Sequence, residues 1–282
     1  MRTVVFGEVL WDIFGKEAHI GGAPLNFAAH TAKLGGDVSL ISAVGRDELG
    51  DRALEIINDF GIDASHVSRV DLPTGVCNVT LSDGTPNYEL VTDVAYDAIP
   101  LPKREALGDA LYFGTLAARD LRSRTTLQKL LQNPWREVFF DINIRQNFYT
   151  REWIDTALSH ATILKISREE IGVLNLPGSC EEIAQAVLNK YSNLQVVIVT
   201  LDKDGAFAMK RGGTLLYAPK PQSAVVSTVG AGDSFSACFL HHHLLGTPLQ
   251  KTLECACTLS DFVVTRTEAI PEYPTVLKEK IC

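Results

Sequence analysis

Residues 228–235 read Thr-Val-Gly-Ala-Gly-Asp-Ser-Phe and combine small residues with a single carboxylate. They follow a β-type run at 224–226 and precede an apolar-periodic segment at 235–245, which predicts a strand-to-helix turn. Glycine lets consecutive backbone N–H groups face one point, and a helix start adds positive partial charge, so the turn is suited to holding an anion. Asp233 would repel a phosphate, but it could take the proton from a hydroxyl that attacks one. We therefore predict that Asp233 is a general base of phosphoryl transfer, the alternative being a plain helix cap.

The same segment could also belong to a serine hydrolase, with Ser234 as the nucleophile. Such an enzyme needs a base histidine, and the histidines that follow Ser234 are His241, His242 and His243. They lie on the helix that the turn begins, too near in sequence to reach back to Ser234, which disfavours the hydrolase. Adjacent helical positions point in different directions, so we interpret the three histidines as a solvated helix face and not as a metal site.

Polar residues near the N-terminus form a candidate ligand site. Gly21 and Gly22 precede Pro24, a residue typical of a helix start, and Asn26 follows one turn into that helix. An amide side chain offers both a donor and an acceptor, which suits a sugar hydroxyl. Asp12, just after the first predicted strand, could accept from hydroxyls as well. Capping roles for both residues stay open.

A second polar cluster, Asp141-x-Asn143-x-Arg145, falls at the end of a predicted strand. Open α/β sheets bind ligands beyond the carboxyl ends of their strands, so this position favours a site. Arg145 is the member best suited to a phosphate or a polyol, with a surface ion pair as the alternative.

Composition bounds the class of protein. The chain has 282 residues, of which 46% are hydrophobic and 21% charged, and its net charge is −8. These values predict one globular domain and make nucleic acid and membrane surfaces poor partners. No leader or membrane-length apolar run is seen, so we expect a cytoplasmic protein. The cysteines are scattered without zinc-ligand spacing, so we expect reduced thiols. The common nucleotide motifs G-x-x-x-x-G-K-[ST] and G-x-G-x-x-G do not occur in the sequence.

The pattern of elements predicts how these residues are positioned. Strand-like runs at 3–6, 38–44, 110–113, 138–141, 162–166 and 195–201 alternate with helical patterns at 24–34, 49–60, 122–131, 181–190 and 248–265. This alternation is typical of βαβ units and predicts a doubly wound, mainly parallel sheet. Residues 74–92 break the rhythm with two alternating runs around Ser82-Asp83-Gly84-Thr85, a hairpin signal. A β-hairpin inserted into an α/β core could serve as a lid.

Taken together, these segments resemble the ribokinase-like, PfkB-type carbohydrate kinases over essentially the whole chain. Residues 21–50 are similar to that family's first signature, and residues 227–239 (STVGAGDSFSACF) are similar to its second. Fructokinases are the most similar members, on Gly7-Glu8, Asp12 and residues 73–75, 88–89, 95–99 and 113–117. The resemblance implies one domain over 1–282, a three-layer α/β/α fold with a small β lid formed from about 8–20 and 72–98.

The resemblance also implies ATP-dependent phosphorylation of a sugar hydroxymethyl group, with fructose 6-phosphate as the expected product. Asp233 would be the base. The backbone amides that would stabilise the transferring γ-phosphoryl are those of Gly230, Ala231 and Gly232. The residues that would bind the sugar, or its junction with the phosphates, are Asp12, Gly22, Asn26, Asn143 and Arg145.

Nucleotide and metal roles follow from the same resemblance. Lys165-Ile166-Ser167-x-x-Glu170 stands where the family has an Asn-x-x-Glu motif, so Lys165 would face the nucleotide and Glu170 would organise Mg²⁺ through water. Thr200 and Gly205 fall in the family's nucleotide loop. The helix around Cys257 would line the adenine pocket.

Three positions depart from the family pattern. Ser227 replaces a usual Asp, Asp202 replaces a usual Gly, and Glu268 stands where a late Gly-Ala pair has its glycine. The first and third lie near a monovalent cation site in relatives, so the sequence leaves K⁺ dependence open. Asp202 adds negative charge to the nucleotide loop, where it could contact ribose or weaken ATP binding.

Two other functions stay open at this point. The chain could be a kinase of the same family that acts on another sugar, a sugar acid or a nucleoside. It could also be a catalytically weak sugar-binding or regulatory protein, which the altered nucleotide loop would suit. The expected partners are a small sugar and ATP, and the lid could also form a homodimer.

Overall fold

The computed structural model of the protein describes residues 1–82 and 85–281. Its strands are β1 (Arg2–Phe6), β2 (Leu10–Phe14), β3 (Glu17–Gly21), β4 (Asp37–Val44), β5 (Val67–Arg69), β6 (Gly75–Ser82), β7 (Thr85–Leu90), β8 (Ala110–Phe113), β9 (Glu137–Asp141), β10 (Ile163–Ser167), β11 (Val196–Thr200), β12 (Ala206–Lys210) and β13 (Thr214–Ala218). Its helices are α1 (Ala23–Lys33), α2 (Glu48–Asp59), α3 (Leu121–Leu130), α4 (Arg151–His160), α5 (Cys180–Lys190), α6 (Ala231–Leu244), α7 (Leu249–Val264) and α8 (Thr275–Ile281). The strands and helices predicted from the alternating pattern are confirmed, each to within one residue at either end.

The main sheet has nine strands in the order β13-β12-β11-β10-β9-β8-β1-β4-β5. Its pairings are parallel from β5 across to β11, and β12 and β13 form an antiparallel edge. The central strands are apolar along their length, as expected when helices cover both faces of a sheet. The predicted doubly wound, mainly parallel sheet is therefore confirmed.

Helices cover the two faces of the main sheet and complete the three-layer fold. The core on one face includes Leu25 of α1, Phe239 of α6 and Leu259 of α7. The core on the other face includes Leu127 of α3 and Trp153 of α4. Four helices start where a side chain accepts from a backbone N–H of the first turn, at Asp47, Asp120, Thr150 and Ser179.

A second, small sheet joins β3, β2, β6 and β7 in that order. The predicted hairpin is confirmed, because β6 and β7 pair antiparallel, while the turn residues Asp83 and Gly84 lie outside the described residues. Asp47 ties this sheet to the main body, since its carboxylate accepts from the Thr74 N–H at 2.8 Å and from the Thr74 hydroxyl at 2.5 Å. The small sheet is thus anchored at the residue that precedes β6.

The strand predicted at 224–226 is wrong. This segment has no regular secondary structure, and Val225 and Val226 are 64% and 60% exposed. The N–H of Val226 donates to the Val264 carbonyl at 2.7 Å, at the end of α7, and not to a neighbouring strand. Apolar β-branched residues alone did not produce a strand, because no strand of the sheet pairs with them.

The solvated face predicted for the three histidines is also wrong. His242 is buried, His243 Nε2 lies 3.0 Å from Glu137 Oε1, and burial lowers the pKa of His241 to about 4. The reason is that α6 packs against both α1 and α7, so most of its surface faces protein. Within the described part of the chain, His, Cys, Asp and Glu side chains form no group of three or more that could hold a metal ion. Nor does any described helix have the length and apolarity needed to cross a bilayer.

Candidate active site

A cavity of about 980 Å³ lies between the small sheet and the loops that follow the parallel strands. This is the edge of an open α/β sheet at which ligands bind. The small sheet contributes one wall through Asp12, Cys77 and Tyr88. The cavity brings together many of the predicted site residues, namely Asp12, Gly22, Asn26, Asn143, Arg145, Lys165, Gly230, Gly232 and Asp233.

The start of α6 forms the turn that was predicted to hold an anion. Gly230 is the N-cap and has a φ of 80°, and a Cβ there would collide with the Ala269 carbonyl, so the position requires glycine. The first intrahelical bond runs from Ser234 N to Gly230 O at 2.9 Å, which leaves the earlier amides without an intrahelical acceptor. The Ala231 N–H donates to the Thr228 carbonyl at 3.3 Å. The Ala231 amide is thus already paired within the turn.

Asp233 is buried, and its Oδ2 accepts from the Asn26 Nδ2 amide at 2.8 Å. Burial raises the pKa of Asp233 to about 6, an effect that the Asn26 hydrogen bond opposes. The nearby charge of Asp141 raises this pKa further, while Arg145 and Lys165 lower it. A carboxylate with such a pKa is ionised at neutral pH and is a stronger base than an exposed aspartate.

Ser234 does not have the surroundings of a nucleophile. Its side chain is fully buried, and its hydroxyl donates to the Ala231 carbonyl at 2.9 Å. This local bond within the first turn of α6 agrees with the sequence argument against a serine hydrolase.

Lys165 and Asp141 form a buried ion pair behind the turn. The Lys165 Nζ lies 3.0 Å from Asp141 Oδ1, and Ser236 on α6 donates its hydroxyl to Asp141 Oδ2 at 2.9 Å. Burial lowers the pKa of Lys165, but the carboxylates of Asp141 and Glu170 raise it by more, so the ammonium is charged. The Nζ lies 3.4 Å from the point where a Cβ on Gly232 would stand. A positive charge therefore sits against the helix start.

Several other polar residues that the sequence predicts for the site line the same cavity. Asp12 extends from β2 beside the Cys77 thiol, and burial raises its pKa. Gly22 has a φ of 110°, and a Cβ there would stand 2.5 Å from the Glu8 carbonyl. Asn143 follows β9 with a φ of 43°. Arg145 also lines the cavity, and its positive charge lowers the pKa of both Asp233 and Glu8.

Glu170 was predicted to organise Mg²⁺ through water. Its Oε1 accepts from Ile144 N at 2.7 Å and its Oε2 from Ser167 N at 3.0 Å. These two bonds fix the carboxylate at the ends of β9 and β10, and each oxygen keeps lone-pair capacity for a water molecule. This donor set fits a hydrated Mg²⁺ carried by a nucleotide better than a direct protein cage.

Thr200, Gly205 and Cys257, predicted to bind nucleotide, lie outside the lining of the cavity and gather around the ends of β11 and β13. The Cys257 Sγ lies 3.6 Å from the Ala218 carbonyl, and a Cβ on Gly205 would collide with the same carbonyl. Asp202 has a φ of 55°, in the left-handed region that favours glycine. This conformation gives a physical reason for the glycine that the family pattern has at this position.

Sequence reasoning missed Glu8, which lines the cavity although it is 3% exposed. A signal was present, since Glu8 is the one charged residue between positions 3 and 11, a segment that is otherwise mostly apolar. Ser227 and Glu268, two of the departures from the family pattern, also line the cavity.

Comparison with known proteins gives the family of this chain. The chain belongs to the pfkB family of carbohydrate kinases, whose family model matches residues 6–276. This confirms the resemblance seen in the sequence.

Among its relatives, a Klebsiella pneumoniae fructokinase is 30% identical over 78% of this chain and 75% of its own length. An ATP-dependent 6-phosphofructokinase of Thermoanaerobacterium thermosaccharolyticum is 26% identical over 97% of this chain and 91% of its own length. A solved structure of a Pyrococcus horikoshii sugar kinase in complex with ATP is 25% identical, has a TM-score of 0.78, and aligns over 95% of this chain and 94% of that one.

Proposed function

We propose that this protein transfers the γ-phosphoryl group of ATP to a hydroxymethyl group of fructose and forms fructose 6-phosphate. The observation that carries the proposal is the buried Asp233 carboxylate, held by Asn26 at the start of α6 and open to one cavity with Arg145 and Lys165. The fructokinase relative supports this acceptor, and the Pyrococcus horikoshii structure supports ATP as the donor.

Asp233 acts as the base in this mechanism. It accepts the proton of the sugar hydroxyl as the hydroxyl oxygen forms its bond to the γ-phosphorus, and the bond from that phosphorus to the bridging oxygen of ADP breaks. Because the Asn26 amide donates to Oδ2, the other oxygen, Oδ1, is left to take the proton. Phosphoryl transfer depends mainly on positioning and charge stabilisation, and both are provided at this helix start.

Charge on the transferring group is stabilised from two sides. We assign this role to the positive end of α6 at the Gly230-Ala231-Gly232 turn, where the Ala231 amide would exchange its Thr228 acceptor for a phosphoryl oxygen. The Lys165 ammonium lies directly behind Gly232. Glu170 would orient the water shell of Mg²⁺, and the ion would neutralise charge on the phosphate oxygens. The nucleotide base is assigned to the region of Thr200, Gly205 and Cys257.

The charge balance of the cavity favours a neutral sugar over an anionic acceptor. The cavity is lined by the carboxylates of Glu8, Asp12, Asp233 and Glu268 and by the cations Arg145 and Lys165, of which Lys165 is paired with Asp141. A sugar acid or a sugar phosphate would bring a further negative charge against these groups, and hydroxyls would instead donate to them. Fructose and other neutral sugars would fit these charges equally well, and the similarity to a fructokinase favours fructose.

The small sheet is proposed to close over the bound sugar, with the lid spanning about residues 8–20 and 72–98. Its contribution to the cavity wall supports this role, because closure would exclude water that could otherwise accept the phosphoryl group.

The direct test measures ADP release from MgATP with fructose, tagatose, ribose, adenosine, 2-keto-3-deoxygluconate and fructose 6-phosphate, each with and without K⁺. The proposal expects selective turnover of fructose. Turnover of the sugar acid or the sugar phosphate in preference to every neutral sugar would contradict the argument from charge. Sugar binding without turnover of any compound would instead indicate a regulatory protein.

A further inference from the structure

Glu8 lies in the turn between β1 and β2, with its backbone packed against the start of α1. Its carbonyl approaches Gly22 so closely that a Cβ there would stand 2.5 Å away, and the Gly22 carbonyl in turn accepts from Asn26 N at 2.9 Å. The turn therefore brings Glu8 and Asn26 to the same wall of the cavity.

Two buried acceptors on this wall have no hydrogen-bond donor among the described residues, Glu8 Oε2 and Asn26 Oδ1. Buried polar atoms in native proteins are nearly always paired, and each exception needs an explanation. Since both atoms belong to residues that line the cavity, a ligand with hydroxyl donors would satisfy both.

The electrostatic state of Glu8 supports a ligand role. The pKa of Glu8 is raised to about 7, mainly by burial, and the charge of Asp233 contributes to the rise. Its own backbone N–H and the cations Arg145 and Arg119 lower it. A carboxyl group that titrates near neutral pH can both accept from one hydroxyl and donate to another.

Keeping such a group buried costs stability. A buried carboxyl with one unpaired oxygen loses hydration at that oxygen without a compensating bond, which argues that the residue serves binding. Two other buried polar atoms near it also lack a described partner, Tyr96 Oη and Arg119 Nη1. Neither of those residues lines the cavity, so they provide a comparison for a purely structural effect.

We propose that Glu8 is a substrate-contacting residue whose carboxyl group binds a hydroxyl of the neutral polyol acceptor beside Asn26. The inference rests on the proposed function and adds to it a residue that selects sugars rich in hydroxyl donors and disfavours anionic acceptors.

The test is calorimetric titration of fructose into the wild-type protein and the variants Glu8→Ala, Glu8→Gln and Tyr96→Phe, without nucleotide. Glu8→Ala is expected to weaken sugar binding about tenfold or more, the loss of one or two hydrogen bonds. Glu8→Gln, which keeps a donor and an acceptor, should retain more of the affinity. Tyr96→Phe, which removes an unpaired hydroxyl away from the cavity, should bind as the wild type does.

Thermal melting of the same variants separates binding from folding. Because Glu8 is buried without a full set of partners, Glu8→Ala should melt at the wild-type temperature or above it. Wild-type affinity in Glu8→Ala would overturn the inference. So would a lower melting temperature together with an equal loss of affinity in Tyr96→Phe, since that pattern belongs to a structural residue.

Fructose binding and phosphorylation by the wild-type protein show whether the inference and the proposed function fail together or separately. If it binds fructose and phosphorylates no compound, the proposed function is wrong, while the affinities of the Glu8 variants still decide the inference. If the wild type binds no sugar, both are overturned.

Discussion

The Asn26 amide donates to the Asp233 carboxylate over 2.8 Å, although the two residues are 207 positions apart in the chain. The contact joins the start of α1 to the start of α6, two helices that pack side by side along one face of the sheet. The contact occupies Oδ2 of Asp233 and leaves Oδ1 as the oxygen that can take a proton. Under the proposed function, this one hydrogen bond would couple sugar contact to proton removal.

Removing this bond should change the pH dependence of the reaction. The wild-type kcat/KM is expected to fall below a pH of about 6 as Asp233 becomes protonated. Because the Asn26 bond lowers that pKa, Asn26→Ala should move the acidic limb to higher pH as well as lower kcat. The pH profile of kcat/KM measures both effects. Thr31→Val on the same helix is the control, and an unmoved limb in Asn26→Ala would contradict the assignment.

The raised pKa of Asp233 also predicts a pH-dependent gain in stability when its charge is removed. The folded-state pKa of Asp233, about 6, is above the ordinary value of 3.8, so protonation of this carboxyl stabilises the folded protein. That stabilisation is present below pH 4 and is lost as the pH rises through 6. Asp233→Asn should therefore unfold with a free energy up to about 3 kcal/mol higher than wild type at pH 8, and with little difference at pH 4. Urea denaturation at the two pH values tests this. If Asp233→Asn changed the free energy of unfolding by the same amount at both pH values, Asp233 would not be the titrating group.

The buried pair of Lys165 and Asp141 predicts that stability and activity can be separated. Lys165→Gln leaves the Asp141 carboxylate buried without its cation, which should cost about 3–5 kcal/mol of unfolding free energy and lower kcat strongly. In the double variant Lys165→Gln with Asp141→Asn, much of the stability should return because no charge is left unpaired. The low kcat should stay, because the cation behind Gly232 is still missing. Recovery of kcat together with stability would restrict Lys165 to a structural role.

Asp202 combines a strained backbone with a negative charge, and two substitutions distinguish these effects. Asp202→Gly relieves the positive φ and should raise the free energy of unfolding by about 1 kcal/mol, whereas Asp202→Asn should change it little. Both remove the charge, so both should lower the KM for ATP about two- to fivefold at low salt. An ATP KM that falls only in Asp202→Gly would mean that backbone strain, and not charge, limits ATP binding.

Much of the fold could be predicted from the sequence, because buried parallel strands and amphipathic helices leave strong local patterns. The pattern was misleading where the environment is set by distant neighbours. Val225 and Val226 have strand-like side chains but no strand beside them, and His242 is buried because α1 and α7 enclose α6.

Site residues could be named from motifs, but their pairing could not. Nothing local to Lys165 indicates that it is buried against Asp141, since strand pairing between β9 and β10 creates that contact. Glu8 was missed for a similar reason. The burial of Glu8 and the lack of a donor to its Oε2 depend on how the turn after β1 packs against Gly22.

The most direct test of the account is to follow fructose and MgATP by ³¹P NMR with the wild-type protein and Asp233→Ala in parallel, after fructose binding to both has been measured. The account predicts fructose 6-phosphate from the wild type. It predicts a rate lower by about two to four orders of magnitude from the variant, with sugar affinity little changed. Equal rates of product formation from the two proteins would show that Asp233 is not the base and would contradict the central claim.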